Sequence, residues 1–324
     1  MQLRGRVSAW MLVSALGLSG LTWSGEASAA GNKPTPKEER VSLYIQIINS
    51  ESEHVFSNYD RYTKRLKDPQ KGPTCTETGP QSWISSMGPS APDRYKGWRK
   101  ALSKKPKVEM DETAGEMLDA LEALYEPGNE ASEYFFKSKF KQDSCKRAGE
   151  LHGVLMSGWT KYMRAEQAMR VFLDKYTDER DQKELVDTQK KYGKAFHYYH
   201  RKLMVDAKAL IRVADRQDPD LAAVREKLAV FEPTLNEAKA LDEKERKGKL
   251  RDALYQGGYE QMLTHAGWFR DATNEVIRVV ENEAKDPKAA SRTNARPTAM
   301  KNLINSYNGL VEQSNKVMYS KAMK

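Results

Sequence analysis

Apolar residues recur at helical intervals through nearly the whole chain, and this spacing limits the fold more than any other property. Val41, Tyr44, Ile48, Val55, Tyr59, Tyr62 and Leu66 follow gaps of 3, 4, 7, 4, 3 and 4, which places all seven on one side of a helix. Tyr95, Trp98 and Leu102 mark a short basic helix over 93–105. A second strong stripe begins at Asp111, whose side chain is positioned to cap it, and runs through Met117, Leu121 and Leu124. Further stripes include Leu151, Leu155, Trp159, Tyr162 and Met169, then Leu185, Phe196, Leu203 and Leu210; whether 144–215 is one helix or two stays open. Leu221, Val224, Leu228, Phe231 and Leu235 define the next helix, Leu250, Leu254, Tyr255, Tyr259, Met262, Phe269 and Val276 another, and Leu303, Tyr307, Leu310 and Val317 the last, from Pro297. Period-2 alternation is absent, so the expected class is all-α: an elongated bundle of long amphipathic helices without a sheet.

The interruptions to this pattern suggest the organisation. Five of the thirteen prolines fall within 68–92 together with Gly72, Gly79 and Gly88, which reads as a long loop because proline removes a backbone donor and blocks the helix. Pro127-Gly128 is expected to break or kink its helix, Pro233 to kink another, and Asp218-Pro219 to open the helix that follows. One domain over 38–324 is expected, preceded by a flexible leader at 30–37.

Residues 1–29 have a different character. Arg4 and Arg6 precede an apolar run over 9–21, and Ala27-Ser28-Ala29 follows as a small-x-small site. The run is too short to span a bilayer comfortably, so the segment is expected to be a cleavable secretory signal. Cleavage after Ala29 removes Arg4, Arg6 and Glu26 and lowers the formal charge of +9 by one. No cysteine adjoins the site, so a lipid anchor is not expected, and a mean hydropathy of −0.78 excludes a multi-span membrane protein. Both signs of charge are mixed along the chain, and an exported protein rarely meets nucleic acid, so no nucleic-acid partner is expected.

Two cysteines remain after such cleavage, Cys75 and Cys145, and an oxidising compartment predicts a bond between them. Closing a loop of that size is worth roughly 4 kcal/mol in the chain-entropy model. His197 and His200 are three apart on one helix and are the only candidates for a metal, a weak pair because a metal needs further ligands. His-Glu-x-x-His, Gly-x-Ser-x-Gly and phosphate-cradling glycine loops are absent, so no catalytic residue and no cofactor is assigned. A basic stretch over 94–107 is followed by 29 residues without Lys or Arg, in which Glu112, Glu116 and Asp119 begin an acidic stripe. Together with Tyr95, Trp98 and Arg99 they form the candidate interaction surface, for which a solvated helix face is the simpler explanation.

Three stretches resemble the YiiG-like family of uncharacterised bacterial envelope proteins. They are Tyr44-Ile-Gln-Ile-Ile-Asn49 through Tyr59-Asp-Arg-Tyr62 with Gly72-Pro-Thr74, then Gly149-Glu-Leu-His152, and Asn305-Ser-Tyr-Asn-Gly-Leu-Val-Glu-Gln-Ser-Asn315. The resemblance implies a helical envelope protein with no assigned reaction and no catalytic residues to carry over. Gly149 and His152 match it, with close helix packing and a satisfied histidine as their expected roles. The functional expectation is a non-enzymatic, periplasmic or secreted protein that binds another envelope component, a protein or an anionic polymer, through the Pro-rich loop and adjacent charges. The alternatives are an enzyme cleaving cell-wall glycan with paired carboxylates, and a chaperone-like scaffold.

Overall fold

The structure, a computed structural model, describes residues 35–77, 83–216, 218–246, 258–286 and 294–317. The expected signal and most of the leader lie outside these residues. Eight α-helices and one 3-10 turn make up the described residues, with no strand among them. The fold is all-α, as the periodicity predicts. Two compact units divide it, one over 32–175 and the other carrying 176–324.

In the first unit, α1 spans Pro36–Thr63, α2 Ala91–Ser103 and α3 Asp111–Phe136, and α4, Lys146–Tyr192, contributes its residues up to 175. The start of α1 is a capping box. The Glu38 backbone N–H donates to the Thr35 hydroxyl at 3.3 Å, and the Thr35 N–H donates to the Glu38 carboxylate at 2.7 Å. Pro36 at the first turn needs no donor there, so the leader expected to reach residue 37 has already become helix. Asp111 does not cap α3. Its carboxylate accepts from the Tyr44 hydroxyl at 2.9 Å and pairs with Arg40 at 3.1 Å, and so ties α3 to α1.

Proline does not interrupt either helix that carries one in its interior. Pro127 lies within α3, where the sequence suggested a break or kink, and Pro233 lies within α6. Each frees the carbonyl four residues earlier, on Ala123 and Ala229, and both alanines are exposed, so water can take the missing bond. The interruption between Leu185 and Phe196 comes instead from Gly193, at φ +65°, which separates α4 from α5, Phe196–Ala214. The region over 144–215 is therefore two helices.

The second unit packs α5, α6 (Leu221–Arg246), α7 (Tyr259–Lys285) and α8 (Ala295–Lys316) around one core containing Leu203, Leu210, Phe231, Phe269 and Leu310. Phe231 and Phe269 meet edge to face at 5.6 Å. Asp220, not Asp218, caps α6, accepting from the N–H groups of Ala222 and Ala223 at 2.9 and 3.4 Å. Leu250, Leu254 and Tyr255 of the expected α7 stripe lie outside the described residues.

Candidate functional site

The segment after α1 is fastened to the start of α4 by the bond between Cys75 and Cys145, whose Cα atoms are 5.9 Å apart. Cys75, Ser144 and Cys145 all have positive φ without being glycine, at 57°, 53° and 71°. An L-residue enters that region at a cost of about 1–2 kcal/mol, so the backbone on both sides of the link is in a costly conformation. Asp143 organises the α4 side of the link, accepting from the Cys145 N–H at 3.0 Å and the Tyr134 hydroxyl at 2.7 Å. Those bonds, Tyr134 first, hold its carboxyl below the usual carboxylate range. On the other side, the Glu77 carboxylate accepts from the Thr74 N–H and hydroxyl at 3.0 and 2.9 Å.

Gly72 forms the inner wall of this loop. It has φ +83°, and a Cβ there would lie 2.9 Å from the ring of His152. His152 is satisfied as expected: its Nδ1 lies 3.0 Å from the Tyr62 hydroxyl, and burial pushes its basicity down. Gly149 contacts nothing within 4 Å of a Cβ position, so it is not the close-packing glycine. Gly158 is, with the Leu124 side chain 2.6 Å from that position.

The expected Pro-rich loop has two parts of opposite character. Gln70, Lys71, Thr74 and Thr76 are exposed, whereas Trp83, Ile84 and Met87 belong to the core. Trp83 stacks on Phe135 at 4.7 Å, and Asn58 holds Ser85 through both backbone groups, at 2.8 and 2.9 Å. Phe136, 61% exposed, ends α3 a few residues before the disulfide-linked turn.

The aromatic half of the candidate surface is not at the surface. Tyr95 and Trp98 are 1% and 5% exposed because they, with Leu102, are the apolar face on which α2 packs. The Tyr95 hydroxyl donates to buried Glu51 at 3.1 Å, and Arg94 covers the same carboxylate. Glu112, Glu116 and Asp119 are exposed on α3. Arg99 reaches Asp119 and donates to both Glu122 oxygens at 2.7 and 2.8 Å, so the basic and acidic segments partly neutralise one another. His197 stacks on Tyr192 at 4.3 Å, while the His200 Nε2 lies 2.6 Å from the Ser314 hydroxyl and burial pushes its pKa down to about 3. No group of three or more His, Cys, Asp or Glu side chains able to hold a metal ion occurs among the described residues.

A line of buried polar side chains along α1 escaped the sequence reading. Glu51 and Ser52 fill the seven-residue gap in the apolar stripe between Ile48 and Val55. Ser52 donates to Glu166 at 2.6 Å and shares a hydrogen bond with Tyr162 at 3.0 Å; Arg170 completes the group by donating to Glu166 at 2.8 Å. Glu166 similarly fills the gap between Tyr162 and Met169. Each buried acid meets a base or hydroxyl of a neighbouring or its own helix, so its hydrogen bonds are made within the protein.

Fold and site together define an all-helical protein with a few ionic groups buried between its helices and a disulfide-fastened surface loop. The chain belongs to the family described as "Protein of unknown function (DUF3829)", whose model matches residues 35–316. It is 25% identical over 206 residues to the uncharacterized protein YiiG of Escherichia coli (strain K12), a match covering 63% of this chain. The match spans 59% of that relative's length. No solved structure matches. The resemblance carried by the three stretches is thus shown.

Proposed function

We propose that the chain is an exported protein of the cell envelope that binds another envelope component through the disulfide-fastened end of its first unit, without catalysing a reaction. The observation carrying this reading is the Cys75–Cys145 bond, which suits an oxidising compartment and pre-forms an exposed loop at Gln70, Lys71 and Thr74. Pre-forming a contact surface removes ordering entropy from the binding step. Phe136 is an exposed apolar side chain of the same unit, and Lys71, which pairs with Asp68 at 3.7 Å and is 85% exposed, offers a charge to an acidic partner. No helix among the described residues is long and apolar enough to cross a membrane, which is compatible with this placement.

Photo-crosslinking in cells from position 71 or 136 tests the reading. A discrete adduct to one envelope component is expected, and it should weaken when Cys145 is replaced by Ser. Adducts no different from those made at exposed Lys161 on α4 would contradict it.

A further inference from the structure

The basic stretch over 94–107 is not used by the proposed loop contact. In the structure it forms α2 and the turn that leads into α3. Tyr95, Trp98 and Leu102 bury one side of α2, and Lys96, Lys100 and Lys104, each four residues on, occupy the opposite side and are exposed. Lys104 ends the helix with ψ 150°, so the chain leaves the helical row and carries Lys105 and Lys107 beside it. Residues 103–107 are all exposed.

Two ordinary reasons for cations at a helix C-terminus are already met by other groups. One is the bonding of free carbonyls. Buried Arg40 of α1 donates to the carbonyls of Ala101, Leu102 and Lys104, the last two at 3.3 and 2.5 Å, and the Lys107 Nζ donates to Leu102 at 2.9 Å. The other is pairing with acids. Arg99 takes Asp119 and Glu122 of α3, Arg94 takes Glu51 of α1, and Asp93 lies 3.9 Å from Lys96. Lys100, Lys104 and Lys105 form no ion pair with a carboxylate among the described residues, the exposed Glu109 and Glu112 that follow them included. Arg40 also pairs with Asp111, so the turn that carries these charges is pinned to α1 and α3.

The chemistry of the face limits what it fits. Both guanidinium groups of α2, which could grip a single phosphate bidentately, are committed to carboxylates, and the lysines remain as separate, hydrated point charges. The aromatic rings of α2 are buried, so they offer no stacking platform to a base or a sugar. Charges spread over a row and the turn beside it match an extended anionic plane better than one linear chain, which would follow the row alone. A bilayer with anionic headgroups presents such a plane and attracts each nearby lysine.

We propose that the exposed side of α2 and the turn after it dock the first unit on a bilayer surface carrying anionic headgroups, through Lys96, Lys100, Lys104 and Lys105. The inference is independent of the proposed loop contact, since the two use different residues. Co-sedimentation of the full chain with vesicles provides the test. Vesicles of phosphatidylcholine alone measure any binding by the apolar run over 9–21, which every variant retains. Mixed vesicles of phosphatidylglycerol and phosphatidylcholine should bind the parent chain more tightly, and added salt should release the excess. Lys100→Gln, Lys104→Gln and Lys105→Gln together should weaken that excess binding about a hundredfold, at about fivefold per lysine. Lys161→Gln, Lys183→Gln and Lys301→Gln, exposed lysines on other helices, remove the same charge and should weaken it by about threefold or less. No preference of the parent chain for the mixed vesicles, or equal losses from the two triple variants, would overturn the proposal. Binding of the parent to soluble polyphosphate but not to the mixed vesicles would also overturn it, and would make the face a polyanion site.

Discussion

Single residues carry strain and burial that composition does not reveal. Gly72 combines φ +83° with the His152 ring 2.9 Å from its missing Cβ. Gly72→Ala should therefore destabilise the protein by about 1–3 kcal/mol in urea unfolding, whereas Gly149→Ala, with open space, should be neutral or slightly stabilising. Asp215 is 7% exposed at the C-terminus of α5, and burial pushes its carboxyl up to about 7. The folded state thus holds a proton there that the unfolded chain releases near pH 4. Stability from this residue falls as pH rises from about 4 to 7, because the unfolded state then binds fewer protons than the folded one. Asp215→Asn should accordingly raise stability at pH 8, by about 1–4 kcal/mol, and the gain should shrink towards pH 4. Chemical denaturation at the two pH values checks the sign.

At the scale of helices, pairs of elements are joined by polar links at fixed registers. The Ser52–Glu166–Arg170 group connects α1 to α4, with Glu166 and Arg170 at 3% and 7% exposure. Removing one partner leaves a buried charge uncompensated, so Glu166→Ala should cost about 3–5 kcal/mol in an unfolding measurement. Replacing Glu166 and Arg170 together with Leu and Met should restore much of that loss. The helices themselves were legible, because each buries one stripe of Tyr, Leu and Val and so repeats at 3 and 4. The polar links were legible only as gaps in those stripes, since a buried Glu and a solvated Glu have the same letter. The spacing of Tyr95, Trp98 and Leu102 marks the apolar face of α2, and three such residues on so short a helix leave no aromatic to spare for a surface. At Pro127 the expected break does not occur, because the carbonyl it frees, on Ala123, is exposed and water can take the missing bond, and exposure is a tertiary property.

For the molecule as a whole, the division at 175 and 176 falls inside α4, where no Gly or Pro marks it, so sequence punctuation had nothing to register. Both cysteines belong to the first unit, as do Trp83, Trp98 and Trp159. Cys145→Ser should lower the midpoint of the unfolding transition reported by those tryptophans, corresponding to about 2–4 kcal/mol. The proposed export, with which the disulfide is compatible, is tested most directly by the intact mass of the chain recovered from an envelope extract without reductant. The account predicts a chain beginning at Ala30 and lighter by two hydrogens than its dithiol form. A full-length chain beginning at Met1 with both thiols free to alkylate would contradict it.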